Sequence, residues 1–530
     1  MSEEDFAAIT AQTLQLAKTI LDRPEVDLSA SFTSAGGDSL AAIEFAFSLK
    51  TSYSWLPASS AVMKKILDTP SLGQLISWLG GEYAAAHRPE RAQAPAPAPV
   101  ATAAVPRRQP FGLLPEQAWF MHEAMPRLAR PAHWNDSRLF RFRDGADPEH
   151  VREALELLWA RHDALLLTMV RTGAGFSQSI ADGGAAPAFE VLPENQAGQA
   201  AQSALFAACL DIENSLSIFS GPLARAAFLR SSAQGDYLLL AVHHLAADAL
   251  SMDMLRREFE EIYSRGEAAL PPASSYPEYC LGLGRVAHDD DFISAHLTWW
   301  LSQPWNEFRT VAGNAGETPP EADEDGSEPV CMLSLEEKAA DRLGSQDVLA
   351  AIGAACCRWL GGPVALQVVH NGRTNPVALQ HQSASTVGRL AMVEIYPAGV
   401  CGRQEEITPE LIRDEMTRVR EHAASLPLLR YMSPPAVQEE IKREVRPRLS
   451  GINVNLLGRG QWPRSSELLT EISYAGNLTQ DNAPVHPLEI VGGFNGNGLT
   501  LHLTAGPGIP RSRLPGLARW IEQFLRHPAG

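Results

Sequence analysis

Two apolar periods alternate along the chain, and where each begins and ends sets out its organisation. Residues 5–22 carry Phe6, Ile9, Leu14, Leu16, Ala17, Ile20 and Leu21 at near-helical spacing and close at Pro24, which predicts a first helix. A second helical run, AAIEFAFSLK, follows a turn containing Gly36 and Gly37, and shorter helices fit 59–67 and 71–79. Residues 84–110 lose the apolar period and are rich in Ala and Pro, the composition of a semi-rigid tether. From Phe111 onward, helical patterns at 115–124, 148–161, 200–212, 251–264, 345–359, 408–425 and 513–526 are interleaved with strand-like ones at 137–143, 237–243, 364–369, 452–456 and 499–503. That interleaving predicts an α/β or α+β sandwich of two lobes. One strand, Tyr237-Leu-Leu-Leu-Ala-Val, reads as buried on both faces and runs into His243 and His244, with Asp248 four residues further on. Successive strand side chains point to opposite faces, so the two histidines cannot both look into one cavity. One of them is expected to work and the other to be structural.

Length and charge narrow the function classes. At 530 residues the chain is too long for one ordinary core. Its formal charge of -18 argues against nucleic acid or an anionic membrane as a partner, because both are bound through clustered Lys and Arg. No stretch approaches the ~20 apolar residues of a membrane span, and the start MSEEDF lacks the basic region of a signal peptide, so a cytoplasmic location is expected. The cysteines, Cys209, Cys280, Cys331, Cys356, Cys357 and Cys401, show neither a C-x-x-C pair nor zinc spacing and are expected to be reduced and non-catalytic. No metal site and no glycine-rich nucleotide loop is expected, and the acidic stretch 313–328 reads as a solvated loop.

In the first unit, Ser34-Ala-Gly36-Gly37-Asp38-Ser39-Leu40 sets a serine at a helix start, with Asp38 placed to cap it. This is not the G-x-S-x-G elbow, and no histidine lies within the unit to activate Ser39 as a nucleophile. A helix N-terminus instead favours a bound phosphate. With Val26-Asp27, Phe32 and the closing Thr69-Pro70-Ser71-Leu72, residues 5–80 resemble a peptidyl carrier (thiolation) domain of nonribosomal peptide synthetases. The resemblance implies a small four-helix carrier domain over 1–83. It also implies 4′-phosphopantetheine on Ser39, whose thiol holds an aminoacyl or peptidyl thioester.

The unit from residue 111 resembles the condensation-domain superfamily of the same synthetases. Its His-His-x-x-x-Asp-Gly motif is matched by His243-His244-Leu-Ala-Ala-Asp248, with Ala249 in place of glycine. Leu114-Pro115-Glu116-Gln117-Ala118-Trp119-Phe120, Arg161-His162-Asp163-Ala164-Leu165 and Gly221-Pro222-Leu223-Ala-Arg225 agree with further family stretches. The resemblance implies a chloramphenicol acetyltransferase-like fold with an N-terminal lobe (111–285), a C-terminal lobe (286–530) and a tunnel between them. By the same resemblance His244 is the catalytic histidine at the centre of that tunnel, and Asp248 is structural and paired with Arg373. Ala132-His133-Trp134-Asn135-Asp136, Thr386-Val387-Gly388 with Ile395-Tyr396-Pro397, Leu428-Leu429-Arg430-Tyr431-Met432 and Ile452-Asn453-Val454-Asn455-Leu456-Leu457-Gly458 are more similar to epimerization domains than to peptide-bond-forming ones. His243 and Asn455 join Asp248 and Arg373 as expected structural residues of the site.

Inverting Cα of a thioester requires removing a proton from one face and returning it on the other, most simply with two groups tuned toward neutral pH. His244 suits one face. For the other, the family uses a glutamate in a Glu-Gly-His-Gly-Arg stretch, and here that stretch reads Val369-His370-Asn371-Gly372-Arg373. Valine carries no proton. Three readings stand: an epimerase with a relocated base, for which Glu394 in an apparent insertion before Ile395-Tyr396-Pro397 is the candidate; a divergent enzyme forming an amide, hydrolysing or cyclising the tethered thioester; and a non-catalytic domain that presents the loaded carrier. His370 and Asn371 are expected to support the tunnel wall. The expected partners are a phosphopantetheinyl transferase, an adenylation domain or other loading enzyme in trans, a downstream synthetase domain and the carrier-bound substrate. Treating the protein with coenzyme A and a phosphopantetheinyl transferase is expected to add one phosphopantetheine arm by intact mass, and Ser39→Ala to abolish the addition; an unchanged wild-type mass refutes the assignment.

Overall fold

The apolar runs become core helices and central strands in the computed structural model of the protein. It describes residues 3–86 and 109–526 apart from isolated positions, pairs and the segments 182–187, 193–198, 232–234, 312–329, 376–384, 402–406, 458–465 and 473–481. The acidic stretch 313–328 and nearly all of the tether at 84–110 lie outside the described residues. The first unit is four helices: α1 (Glu3–Leu21), α2 (Ser39–Ser52), α3 (Ser59–Asp68) and α4 (Leu72–Ala86). They close on Phe32, Phe45, Leu49, Met63 and Leu79, all buried, and Phe32 stacks on Phe45 with ring centroids 5.2 Å apart. A Cβ on Gly37 would lie 2.2 Å from the Phe32 ring, so the turn before α2 requires a residue without a side chain.

The second unit begins with α5 (Pro115–Trp119), β1 (Asn135–Phe142), α6 (Pro148–Arg161), β2 (Leu167–Thr172), β3 (Gly175–Ile180), β4 (Ala188–Leu192), α7 (Gln199–Asn214), β5 (Ala224–Ser231), β6 (Gly235–His243), α8 (Ala249–Arg265), α9 (Tyr276–Ala287) and α10 (Asp290–Leu301). It continues with β7 (Val330–Glu336), α11 (Glu337–Ala340), α12 (Ser345–Leu360), β8 (Val364–His370), β9 (Met392–Ala398), α13 (Pro409–Tyr431), α14 (Pro435–Glu444), β10 (Ile452–Leu457), β11 (Leu469–Ile472), β12 (Leu488–Asn495), β13 (Gly498–Ala505) and α15 (Leu514–Arg526). The strands form a five-stranded sheet ordered β11-β1-β6-β5-β4, a six-stranded sheet ordered β7-β13-β12-β10-β8-β9, and the hairpin β2-β3. In the first sheet β6 is buried almost throughout, flanked antiparallel by β1 and β5. In the second, β10 runs parallel to both β8 and β12, and α12 and α15 cover one face. Helix α15 buries Leu514, Leu517, Ala518, Ile521 and Leu525, the i, i+3, i+4, i+7 stripe of a surface helix.

Helix α9 joins the first core and α10 packs with α13 around Trp300 in the second half. The expected lobe division at 285/286 is nevertheless too simple. Strand β11, from the second half of the sequence, adds antiparallel to β1 at the edge of the first sheet, with Leu139 opposite Ile472. At the end of β8 the chain turns through Gly372 at φ +70°, where a Cβ would sit 1.7 Å from the Leu390 carbonyl oxygen. Gly372→Ala is therefore expected to lower the melting temperature, the left-handed backbone alone costing about 1–3 kcal/mol, whereas Gly112→Ala, with nothing within 4 Å of the added carbon, should melt like wild type.

Candidate active site

The two adjacent histidines leave the strand through different backbone anchors. His243 N–H donates to the Leu223 carbonyl (2.7 Å) and His244 N–H to that of Trp134 (2.9 Å), so the neighbouring chain segments on both sides hold the loop. The His243 ring is fully buried, and both of its nitrogens are engaged: Nε2 lies 3.0 Å from the Pro131 carbonyl, and Nδ1 accepts from Leu245 N–H at 3.1 Å. Burial drives its pKa down to about 3, so it is a neutral structural group. His244 is partly exposed. Its Nδ1 faces the Ala247 carbonyl at 3.4 Å, and in the tautomer that donates there Nε2 carries the lone pair. Burial, with Arg389 next in weight, lowers His244 to about 4, so at neutral pH it is a proton acceptor rather than a cation. Gln117 of α5 steadies the loop further, donating to the Leu245 carbonyl at 2.7 Å.

Asp248 fixes the loop at its other end. Oδ1 accepts from Ser251 N–H (2.8 Å), capping α8, while Oδ2 accepts from Arg373 Nη1 (2.9 Å) and from the backbone N–H groups of Leu390 and Ala391 (3.0 Å each). Arg373 is fully buried, and its Nη2 also donates to Ser251 Oγ (2.9 Å) and to the Thr386 carbonyl (2.8 Å). The Ser251 hydroxyl lies 2.8 Å from both Asp248 Oδ1 and the Gly388 carbonyl, and its single proton serves one of them at a time. Burial opposes the Asp248 charge, but Arg373 and the hydrogen bonds outweigh it and hold the carboxyl below its ordinary value. A second buried arginine that the sequence patterns did not single out, Arg138 of β1, ties Asp253 (2.7 Å) and the Ala249 carbonyl (3.0 Å) of α8 to Asp136 (3.2 Å).

A cavity lies between α5, α13 and one face of the second sheet, lined by Glu116, Trp119, Gln367, Val393, Ile395 and His486 among others. Its aromatic wall reaches the histidine loop: Trp119 stacks on His486 (5.4 Å) and meets Trp134 edge-on (5.9 Å), and Trp134 in turn faces His244 (6.5 Å). Side-chain alternation assigns the other candidates to faces of the sheet. Val369, the ladder partner of Val393, is on the cavity face, as is Asn455, two residues beyond Asn453, the partner of Gln367. Glu394, expected to be a relocated base, is not brought there. It lies between Val393 and Ile395 and so points to the opposite face, where Tyr396 Oη donates to it at 2.7 Å and Asn375 Nδ2 at 3.2 Å. His370 ends β8 partly buried, and Asn371 Oδ1 accepts from Arg373 N–H at 2.9 Å. Ser39 opens α2 far from this loop in sequence; its side chain lies outside the described residues. The cavity's own carboxyl, Glu116, was not expected from the sequence; a charged residue inside the apolar stretch Leu113–Phe120 was its signal.

The family model of the condensation domain matches residues 108–343. Residues 108–343 are thus of condensation type, and the large unit has the two-lobed fold seen in solved structures of that class. Surfactin synthase subunit 1 of Bacillus subtilis (strain 168) is 24% identical over 91% of this chain, and gramicidin S synthase 1 of Brevibacillus brevis is 22% identical over 86%. The chain spans only 13% and 40% of those relatives' lengths. Among solved structures, the epimerization domain of the third module of tyrocidine synthetase B superposes with a TM-score of 0.62 at 19% identity, covering 78% of this chain and 96% of that one. The starter condensation domain of the rhizomide synthetase gives 0.58 at 17% identity, covering 79% and 96%. Among the described residues, no helix is long and apolar enough to cross a membrane.

Removing Asp248 leaves Arg373 buried without its counter-charge, a loss of about 3–5 kcal/mol. Asp248→Ala is expected to melt well below wild type as well as lose function. Because the carboxyl is held below its ordinary value, its contribution is complete above the usual carboxylate range and fades as pH falls through the lowered pKa. The stability gap between wild type and Asp248→Asn should therefore narrow toward acid, as read by thermal melts across pH.

Proposed function

We propose that the chain is a carrier followed by an epimerization-type domain, which inverts the Cα of an aminoacyl or peptidyl thioester held on Ser39. The observation that carries this reading is the contrast within the histidine pair. One ring is buried with both nitrogens spent, while His244 is partly exposed, with Nε2 the lone-pair nitrogen of the tautomer that donates to Ala247. Such a neutral imidazole can take a Cα proton that the thioester has already acidified. A helix that begins at Ser39 directs its free amide hydrogens toward that residue, which suits the phosphate of a pantetheine arm. When attached, the arm supplies the thiol that holds the cargo. Leu250, in the first turn of α8 and two residues from Asp248, packs against the core of the four-helix unit, which supports docking of that unit beside the histidine loop. A loading enzyme acting in trans and a downstream synthetase domain complete the proposed setting.

The valine at 369 and Glu394, turned to the face of the sheet opposite the cavity, favour one second reading, other chemistry on the same thioester. Loading Ser39 with an alanyl-phosphopantetheine arm from alanyl-coenzyme A in deuterium oxide separates the two. Epimerization predicts washout of the Cα proton and chiral scrambling of the released alanine, both lost in His244→Ala; the general base contributes roughly 10²–10⁴ in rate. Consumption of the thioester without washout indicates the second reading, and an untouched thioester with intact label refutes both.

A further inference from the structure

We propose that Glu116 is the second acid/base of the site and acts on the face of Cα opposite His244, an inference that rests on the epimerization reading. The geometry starts from the β8–β9 ladder. Val369 and Val393 are cross-strand partners on the cavity face, so that face has no carboxyl at this rung from its own strands. One arrives from another element: Glu116 of α5 lines the same cavity, and its Oε1 accepts from the backbone N–H of Val393 at 3.2 Å. Its Oε2 lies 3.5 Å from Arg389 Nη2.

Arg389 relates the two groups. It lies against Glu116 and also acts electrostatically on His244, so both titrate within the field of one guanidinium. Their environments push them apart. Burial raises Glu116 despite Arg389 and the Val393 N–H, whereas burial and Arg389 lower His244. A carboxyl biased toward its protonated form and an imidazole biased toward its neutral form make the division of labour that inversion needs. In the forward step His244 Nε2 takes the Cα proton, leaving the electron pair delocalised into the thioester carbonyl. Glu116 then gives its proton to Cα from the other side, ending as carboxylate while His244 ends protonated, and exchange with solvent resets both. No oxidant, metal or further reactant is consumed. A purely structural Glu116 would tie α5 to β9 through the same two contacts, so the test must separate chemistry from support.

The full chain, phosphopantetheinylated at Ser39 with an L-alanyl or a D-alanyl arm, is followed in deuterium oxide for washout and for inversion separately. Glu116→Gln is expected to cut inversion by roughly 10²–10⁴ while washout persists from one enantiomer and disappears from the other, because His244 still exchanges on its own face. Adding Val369→Glu to Glu116→Gln is expected to restore inversion by returning a carboxyl to the same rung. Inversion at the wild-type rate in Glu116→Gln, or equal loss of washout from both enantiomers at an unchanged melting temperature, overturns the proposal. If Glu116→Gln does not fold, Glu116→Asp replaces it; it should slow inversion while sparing washout from one enantiomer, and a uniform effect overturns the proposal. Wild type that shows neither washout nor inversion sinks the epimerization reading itself, an outcome distinct from any of these.

Discussion

A carboxylate taken out of water has to recover its hydration from fixed donors, and Asp248 does so with groups from distant parts of the chain. Ser251 comes from the helix that Asp248 caps, Arg373 from the turn after β8, and the N–H groups of Leu390 and Ala391 from the segment leading into β9. The histidine loop therefore cannot shift without uncovering a charge. The reverse also holds, since Arg373 spends its Nη2 on Ser251 and Thr386, and the approach to β9 is pinned by the same network. The position of His244 relative to the second sheet is thus set by this charged network together with apolar packing, since Leu245, Ala246 and Ala247 share one buried core with Leu390 and Met392.

Around this anchor the site sorts its polar groups by how completely they are satisfied. His243 and Glu394 are buried with their polar atoms occupied by hydrogen bonds, and each acts as a peg. His244 and Glu116 are held more loosely, by a 3.4 Å contact in one case and by 3.2 and 3.5 Å contacts in the other. Groups that retain spare hydrogen-bonding capacity are the ones able to exchange a proton with a bound molecule.

Much of the fold was legible because its longest elements have clean periods: the apolar run of β6, the stripe of α15 and the alternation within β10 all appear in the sequence. Strands β2, β3, β4, β5, β7, β9, β11 and β12 were not. β11 has only four residues, and β9 mixes Met, Val, Glu and Pro without a regular alternation. The histidine loop stood out because polar residues interrupt an apolar strand. The misplacement of Glu394 has a simple cause: a strand's sequence gives the period of its side chains but not which parity faces the cavity, and a shift of one residue moves a carboxyl to the other side of the sheet. Glu116 was hidden for a related reason. Nothing in its own helical turn discloses the rung of a distant ladder that it meets.

Strand β11 bears on how cargo reaches such a site. The second half of the chain is hydrogen-bonded into the first half's sheet along β1. A wide clamshell opening of the two lobes would break that ladder and expose the β1 edge. Cargo would then have to thread in on a narrow arm rather than be enclosed by hinge closure. The same strand sets a rule for domain grafting: an exchange cut between α9 and α10 leaves the recipient sheet completed by a foreign edge strand, so a chimera built at that point must carry residues 466–472 with the first lobe.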